Sequence, residues 1–484
     1  MQDFVKIYLL LFSSVFWINL ILCALIIFLE RKNPTSTWAW IMAITFLPIV
    51  GFVAYLFFGT DISKSRVFRS KEYEIELTER RLGRAARINA RDKSHIIEMG
   101  YGKYMKMIKM FSVSGKSIFR KSNKFQVFNN GEELFETLYK DIENAKKSIY
   151  IEFYIISSGK LLDSFKKLLI KKAKEGVDVK ILVDGMGGRK FKKQDRKELI
   201  DAGVDLGVFF PPILGKLHIR LNYRNHRKIT TIDNTIGYIG GFNLGDEYIG
   251  LSKKFGHWRD THLRVRGGVV EDLEYNFFSD YKFATANPCG RYQTSIEDHN
   301  FDTPANIVIS GPDNVREQIR DGYNMMINQA KSRIFIQTPY FIPDEGLQKS
   351  LLIAAYSGVD VRIMVPKKPD HPFVHSAGLS YFGELLEAGA RVYRYRENGF
   401  LHSKVLIADE DISSVGTANF DVRSFKLNFE INCFIYDKAI NEKLAKDFYE
   451  DIKNCDELTL EQYKERGKIT KIKEGISRLL SPLL

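Results

Sequence analysis

Only four of the 484 residues are cysteine, and Cys23, Cys289, Cys433 and Cys455 are widely scattered with no C-x-x-C pair among them. That spacing excludes a disulfide framework and argues against a zinc site. Unpaired thiols in so long a chain suit a reducing compartment. No cluster of carboxylates offers to hold a catalytic cation. Charge is missing from two long runs near the start. Ile7 to Leu29 holds 23 residues without a charge, enough at about 1.5 Å per residue to cross about 30 Å of hydrocarbon. After Glu30-Arg31-Lys32-Asn33-Pro34, a second uncharged run extends from Thr35 to Thr60. It carries Trp38 and Trp40 near one interface, and Pro48 and Gly51 inside, which membrane helices tolerate. A small-residue cleavage site is also missing ahead of the charged break, which counts against a removed signal peptide. The two runs read as a transmembrane hairpin.

Elsewhere positive charge is in excess. Lys and Arg number 72 against 59 Asp and Glu, a net charge of +13, and the isoelectric point is about 9.2. Such a chain favours an anionic partner, nucleic acid or an acidic lipid surface, and charge alone does not choose between them. Lys6 before the first run, and Lys64, Arg66, Arg69 and Lys71 after the second, outweigh Arg31 and Lys32 between them. The positive-inside bias therefore places both termini and the bulk of the chain in the cytoplasm. Residues 61–121 are charged and poor in strand signals, with a helical stretch from Glu72 to Leu82, and read as a juxtamembrane linker.

Beyond that linker the chain repeats itself. Ala145-Lys-Lys-Ser-Ile-Tyr-Ile-Glu is echoed by Ala330-Lys-Ser-Arg-Ile-Phe-Ile-Gln, Gly176-Val-Asp-Val-Lys-Ile-Leu-Val by Gly358-Val-Asp-Val-Arg-Ile-Met-Val, and Glu198-Leu-Ile-Asp-Ala-Gly by Glu384-Leu-Leu-Glu-Ala-Gly. A period this long indicates a duplicated domain rather than a solenoid. Each copy runs strand, amphipathic helix, strand, helix ending at Gly, then strand, as in an α/β sandwich. The boundaries expected are 122–290 and 291–484. Lys166, Lys167, Lys171, Lys172, Lys174 and Arg189 to Arg196 make the first copy's outer face basic, either a solvated face or a lipid contact. In the tail, Ile469, Ile472, Ile476, Leu479, Leu480 and Leu483 fall at helical spacing opposite Lys471, Lys473 and Arg478. That amphipathic tail suits a membrane interface or docking on the protein's own core.

The polar skeleton of the repeat carries the chemistry. His226, Lys228, Asp233, Gly240 and Asn243 recur in order and spacing as His402, Lys404, Asp409, Gly416 and Asn419. In a strand, side chains at i and i+2 share a face, so an imidazole and an ammonium converge on one point. Gly240 and Gly416 fall where a second short strand passes close to a ligand or a neighbouring backbone. Neither half is complete alone. Joined about a pseudo-two-fold axis, the copies surround one site with two imidazoles and two ammonium groups, with Asn243 and Asn419 as extra donors. That set suits a phosphodiester: lysines stabilise charge on the non-bridging oxygens, one imidazole attacks phosphorus, and the other protonates the leaving alcohol. The lysines do electrostatic work that Mg²⁺ often does, so neither metal nor cofactor is demanded. Asp233, Asp409, Glu247 and Glu430 are candidates to orient the imidazoles, with Glu430, in Asn428-Phe-Glu-Ile-Asn, favoured for direct contact. Tyr154, Tyr340, Phe341, His371 and His375 fall near the expected site, with packing or solvation as their plainer roles.

The duplicated H-x-K-x4-D with its Gly and Asn resembles the phospholipase D superfamily over about residues 125 to 455. With the two N-terminal runs, Gly240-Gly-Phe-Asn-Leu-Gly-Asp-Glu-Tyr and the ending Leu479-Leu-Ser-Pro-Leu-Leu, the whole chain is similar to the bacterial cardiolipin synthases within it. The resemblance implies duplicated α/β sandwich domains with pseudo-two-fold symmetry behind a hairpin of residues 1–60, in a multi-pass protein of the cell membrane. It implies phosphatidyl transfer between two phosphatidylglycerol molecules, with anionic membrane lipid and not nucleic acid as partner. His226 would be the nucleophile and His402 the acid and base. Thr417 and Gly241 depart from the Ser that many superfamily members carry after the glycine. A hydrolytic phospholipase D and a nuclease are the competing expectations, the hairpin weighing against the nuclease.

Overall fold

The computed structural model describes residues 17–25, 34–47, 50–52, 55, 94, 96–114, 117–211, 223–286, 301–314, 316–368, 370–396 and 398–479. The chain divides into two compact units, residues 1–75 with 212–222, and residues 76–211 with 223–484.

In the first unit, residues 17–25 and Pro34–Phe46 are helical. Ile44 and Tyr55 are buried, with Leu22, Cys23, Trp40 and Phe52 packed against them. The Asn19 side chain donates to the Ile44 carbonyl at 3.3 Å. Trp17, Ile18, Ile21, Trp38, Met42 and Phe46 face outward. Among the described residues no helix is long and apolar enough to cross a membrane. The rest of both expected spans, like the helix expected from Glu72 to Leu82, lies outside the described residues.

Among the described residues the second unit builds two large sheets in the same strand order. The first runs Asn123–Phe128, His262–Gly267, Ile236–Gly240, Ile229–Ile232, Ser148–Phe153, Asp178–Asp184, Asp205–Phe209. Position by position, the second runs Ala305–Ser310, Asn428–Tyr436, Ile412–Gly416, Val405–Ala408, Arg333–Gln337, Asp360–Pro366, Arg391–Tyr395. Identical order, with central strands buried along almost their whole length, fits a duplicated sheet covered on both faces. Side-chain caps start the covering helices: Asn130 accepts from the Glu132 amide at 2.7 Å, Asp344 from Leu347 at 2.9 Å and Asp437 from Ile440 at 2.7 Å.

Three apolar clusters follow from this arrangement. One lies under the outer helices of each copy, and a third is shared, with Ile229, Ile239, Leu263 and Val265 from the first sheet and Val405, Ile407, Ile431 and Cys433 from the second. The shared core holds the two sheets in one relation, so residues on their facing strands can build one rigid site.

The expected linker ends earlier than its charge implies. From Ile96 onward it belongs to the second copy: Tyr104, Met107, Ile108 and Phe111 are buried in that copy's core, and Phe119–Arg120 adds a strand to its sheet. The apolar stripe at 104, 107, 108 and 111 outweighs the intervening lysines, because burying such a face contributes more than solvating scattered charges. The basic face of the first copy is likewise altered. Lys166 is buried against Asp195 (2.6 Å) and Glu198 (2.5 Å), and Lys172 against Glu175 (2.8 Å).

Candidate active site

Each histidine motif is fastened to the opposite copy. Arg224–Asn225 pairs in parallel with Asn428–Phe429, and the His226 amide donates to the Phe429 carbonyl at 2.9 Å. Symmetrically, Gly399–Leu401 pairs with His257–Arg259, and the His402 amide donates to the Arg259 carbonyl at 2.7 Å. These short ladders bring both imidazoles to one cavity of about 790 Å³.

The carboxylates that face the imidazoles are crossed. Nδ1 of His226 lies 2.9 and 3.0 Å from the two oxygens of Glu430, and Nδ1 of His402 lies 2.7 Å from Asp260. Both carboxylates are fully buried. An ionised carboxylate only accepts, so Nδ1 carries the hydrogen in each ring and the Nε2 lone pair is left for chemistry. Lys228 Nζ donates to the His226 carbonyl at 2.5 Å; Lys404 donates to the His402 carbonyl and also sits 2.8 Å from Nδ1 of that ring.

Burial dominates the electrostatics. It lowers His226 to about 4 against the pull of Glu430, and His402 to about 4 with Lys404 adding to the effect and Asp260 opposing it. It lowers Lys228 to about 7 and Lys404 to about 8. Burial tends to raise Glu430 and Asp260, but the neighbouring imidazoles and lysines outweigh it and both are held below the usual carboxylate range. The site thus holds neutral imidazoles on ionised carboxylates, beside ammonium groups that an incoming anion would stabilise.

Asp233 and Asp409 sit elsewhere, which corrects the expectation that they orient the imidazoles. Each follows the far end of its motif strand, with φ of 53° and 50°. Asp233 accepts from the amides of Lys146, Lys147 and Ser148 (2.7–2.9 Å), and Asp409 from those of Lys331 and Ser332 (2.8–3.1 Å). They pin the turn before each copy's Ser148–Phe153 or Arg333–Gln337 strand.

Asn243 and Asn419 line the cavity. The Asn243 side chain accepts from the Ile155 amide (3.0 Å) and donates to the Tyr248 hydroxyl (3.2 Å); the backbone N–H of Asn419 donates to the Ser424 hydroxyl at 3.3 Å. The close approach expected at the paired glycines is present: a β-carbon on Gly240 would stand 2.5 Å from the backbone of Thr261 and His262, and one on Gly416 would meet Ile431 and Asn432. The two departures from Ser have a steric account. A β-carbon at Gly241 would run into Asp260, whereas the Thr417 hydroxyl accepts from the Ile431 amide (2.9 Å) and donates to the Ile431 carbonyl (3.2 Å).

Tyr154 stands edge-on to His226 with ring centroids 5.0 Å apart, and Trp258 lies 5.1 Å from the ring of His402. Tyr340, His371 and Glu247 also line the cavity; Phe341 packs in the core, stacked on Phe420. The cavity wall carries Lys190, Arg224, Lys254 and Arg423, with Asp370 and Asp421 among them.

The residue missed by sequence reasoning is Asp260. Trp258-Arg-Asp-Thr-His262 looks structural in isolation. Yet His262 pairs with Gly240 and Asn432 with Gly416, so Asp260 and Glu430 each stand two residues before the residue opposite the repeated glycine. Aligning the repeats through that strand would have found it.

The sequence matches the family model described as "Cardiolipin synthase, PLD-like domain" over residues 138–253 and 323–452, and a "Phospholipase_D-nuclease N-terminal" model over 17–59. It is 43% identical over 463 residues to a cardiolipin synthase of Clostridium perfringens, covering 94% of this chain and 96% of that one. It is 43% identical over 481 residues to the major cardiolipin synthase of Bacillus subtilis, covering 98% and 99%. Among solved structures, the phosphatidylserine synthase of Haemophilus influenzae superposes with a TM-score of 0.59 at 15% identity, over 78% of this chain and all of that one, a likeness of fold alone.

Proposed function

The chain belongs to the cardiolipin synthase family of phospholipase D-like proteins, and we propose that it transfers a phosphatidyl group from one phosphatidylglycerol to another, giving cardiolipin and glycerol. The observation that carries this reading is the crossed pair, His226 on Glu430 and His402 on Asp260, in one cavity.

Nε2 of His226 attacks the phosphorus of the first phosphatidylglycerol, and the bond from phosphorus to the glycerol headgroup oxygen breaks. His402 gives that oxygen its proton, and glycerol leaves. The headgroup hydroxyl of a second phosphatidylglycerol then loses its proton to His402 and attacks the phosphohistidine, releasing cardiolipin and restoring His226. Lys228 and Lys404 hold the non-bridging oxygens; the bound anion favours their charged forms and the protonated His402 that the first step needs. The two rings have unlike supports: His226 meets both oxygens of Glu430, whereas Nδ1 of His402 stands between Asp260 and the Lys404 ammonium. The choice of His226 as nucleophile follows the resemblance to the phospholipase D superfamily. Asn243 and Asn419 serve substrate placement, and Arg224 and Arg423, one from each copy, face the phosphate of the second lipid.

The uncharged runs of residues 7–29 and 35–60 and the basic residues flanking them support a membrane-anchored protein with its catalytic copies in the cytoplasm. The deciding assay supplies phosphatidylglycerol alone to the purified full chain. Cardiolipin and glycerol in equal amounts are expected; phosphatidic acid as the sole lipid product would overturn the reading in favour of a hydrolytic phospholipase D.

A further inference from the structure

The C-terminal helix Lys468–Leu479 is mounted inside out. Ile469, Ile472, Ile476 and Leu479 recur at intervals of three and four residues, so they form one stripe, and they are 71%, 61%, 55% and 81% exposed. The side turned to the protein is polar. Glu474 and Ser477 are buried there, Glu474 is held by Arg466 at 2.5 Å, and the Arg478 guanidinium lies over the Tyr381 ring at 4.5 Å. A surface helix in water turns its apolar stripe to the core; this one docks by its ion pair and presents the stripe outward. Docking on the protein's own core, one of the two expectations for this tail, therefore does not account for its apolar face.

Its surroundings indicate what covers that face. The helix packs along Pro372–Leu379, where Phe373 is 63% exposed while the adjacent Val374 and His371 line the cavity. Lys468, Lys471 and Lys473 are exposed on the same helix as the stripe. An apolar stripe flanked by lysines matches the boundary of a phospholipid leaflet: the isoleucines reach the acyl region and the ammonium groups meet anionic headgroups.

We propose that Lys468–Leu479, with Phe373 beside it, is a membrane-docking face that seats the second unit on an anionic leaflet next to the cavity containing both histidines. Lipid then passes from the leaflet into the cavity along the Pro372–Leu379 helix. The choice of a lipid occupant rests on the phosphatidyl-transfer reading, so the primary readout is depth in the bilayer, not turnover.

The full chain carrying Ile476→Cys is labelled with an environment-sensitive fluorophore and reconstituted into phosphatidylglycerol vesicles, with identically treated unsubstituted chain as background. A second labelled variant, Lys446→Cys, reports an exposed site on another helix. A blue-shifted emission at position 476, quenched several-fold more than at 446 by lipids brominated near the headgroup end of the acyl chain, is expected. Emission at 476 as in water, with quenching no greater than at 446, overturns the proposal. So does a blue shift that lipid quenchers leave untouched and that grows with protein concentration in detergent, because it assigns the face to a second copy of the chain. The double variant Ile472→Asp/Ile476→Asp alters only exposed side chains. Its activity is expected to fall about tenfold when phosphatidylglycerol is diluted in zwitterionic lipid and to recover at high surface density. A loss of kcat at saturating lipid would overturn the assignment. Insertion at 476 without phosphatidyl transfer would leave the docking face standing and refute the proposed reaction instead.

Discussion

The two copies share strand order and motif spacing, yet the ground behind their histidines differs. Behind His402 stands a short carboxylate, Asp260, in the space left by the missing side chain of Gly241, with the Lys404 ammonium pressed against the same ring nitrogen. Behind His226 stands the longer Glu430, which meets the ring through both oxygens and accepts from the Asn428 side chain at 3.2 Å. In each case the supporting carboxylate belongs to the other copy. Duplication has therefore produced one site with two unlike ends instead of two equal sites; in the proposed reaction one ring forms a bond to phosphorus while the other manages protons.

Removing one ring has the largest expected effect. His226→Ala and His402→Ala are each expected to lower the steady-state rate by at least about 10³-fold, since a nucleophile and an acid-base group act as a unit. Half the wild-type activity in either variant, in a cardiolipin-formation assay, would mean two independent sites. Glu430→Gln and Asp260→Asn should each lower kcat by roughly 10²-fold with KM little changed. Rapid-quench measurement of lipid-labelled enzyme separates them: Glu430→Gln slows formation of the covalent intermediate, and Asp260→Asn slows its transfer to the acceptor as well. Equal slowing of both steps in Glu430→Gln would erase the division of labour.

A smaller effect is expected for Arg423→Ala, roughly a tenfold rise in KM for phosphatidylglycerol with kcat nearly kept, as loss of a substrate-positioning charge implies. The pH dependence of kcat/KM follows from the free site. His226 must be neutral to attack, so activity rises with pH through about 4, whereas His402 takes up its proton as the anion binds. The site's lysines must be charged, so activity falls as pH climbs through about 7 and 8. Lys228→Arg, which stays charged, should move the alkaline limb upward; an unmoved limb would take Lys228 out of that titration. Smallest in activity are Asp233→Asn and Asp409→Asn. Each should cost about 1–3 kcal/mol in denaturant unfolding through weakened backbone hydrogen bonds while the folded fraction keeps its turnover. A kcat collapse in folded Asp409→Asn would restore the catalytic part expected of it.

Much of the site was legible because repetition marks it. His226, Lys228, His402, Lys404 and the glycines are read from alternation along a strand and from their return 176 residues later. Asp233 and Asp409 return just as faithfully, and that fidelity misleads: a carboxylate that receives three amides at a turn recurs as strictly as one that meets an imidazole. Asp260 was invisible for the opposite reason. It answers to Glu430 by strand pairing, while their neighbours, Trp258 and Asn428, Thr261 and Ile431, have nothing in common. Between Ile96 and Arg120 scattered lysines mask the buried stripe of Tyr104, Met107, Ile108 and Phe111, so charge alone implies a linker there.

The duplication, the chemical groups and the succession of strands and helices along each copy are written in local pattern: period two for strands, spacing for the motif, and the long return of whole segments. Which carboxylate backs which imidazole, and which face of the last helix meets the protein, were decided only by the tertiary structure. Those choices depend on groups as much as 204 residues apart, His226 and Glu430, or on an ion pair, Arg466 with Glu474, that turns an amphipathic helix over. Local pattern records what a side chain is and which way it alternates; its partner is set when two sheets close on a common core.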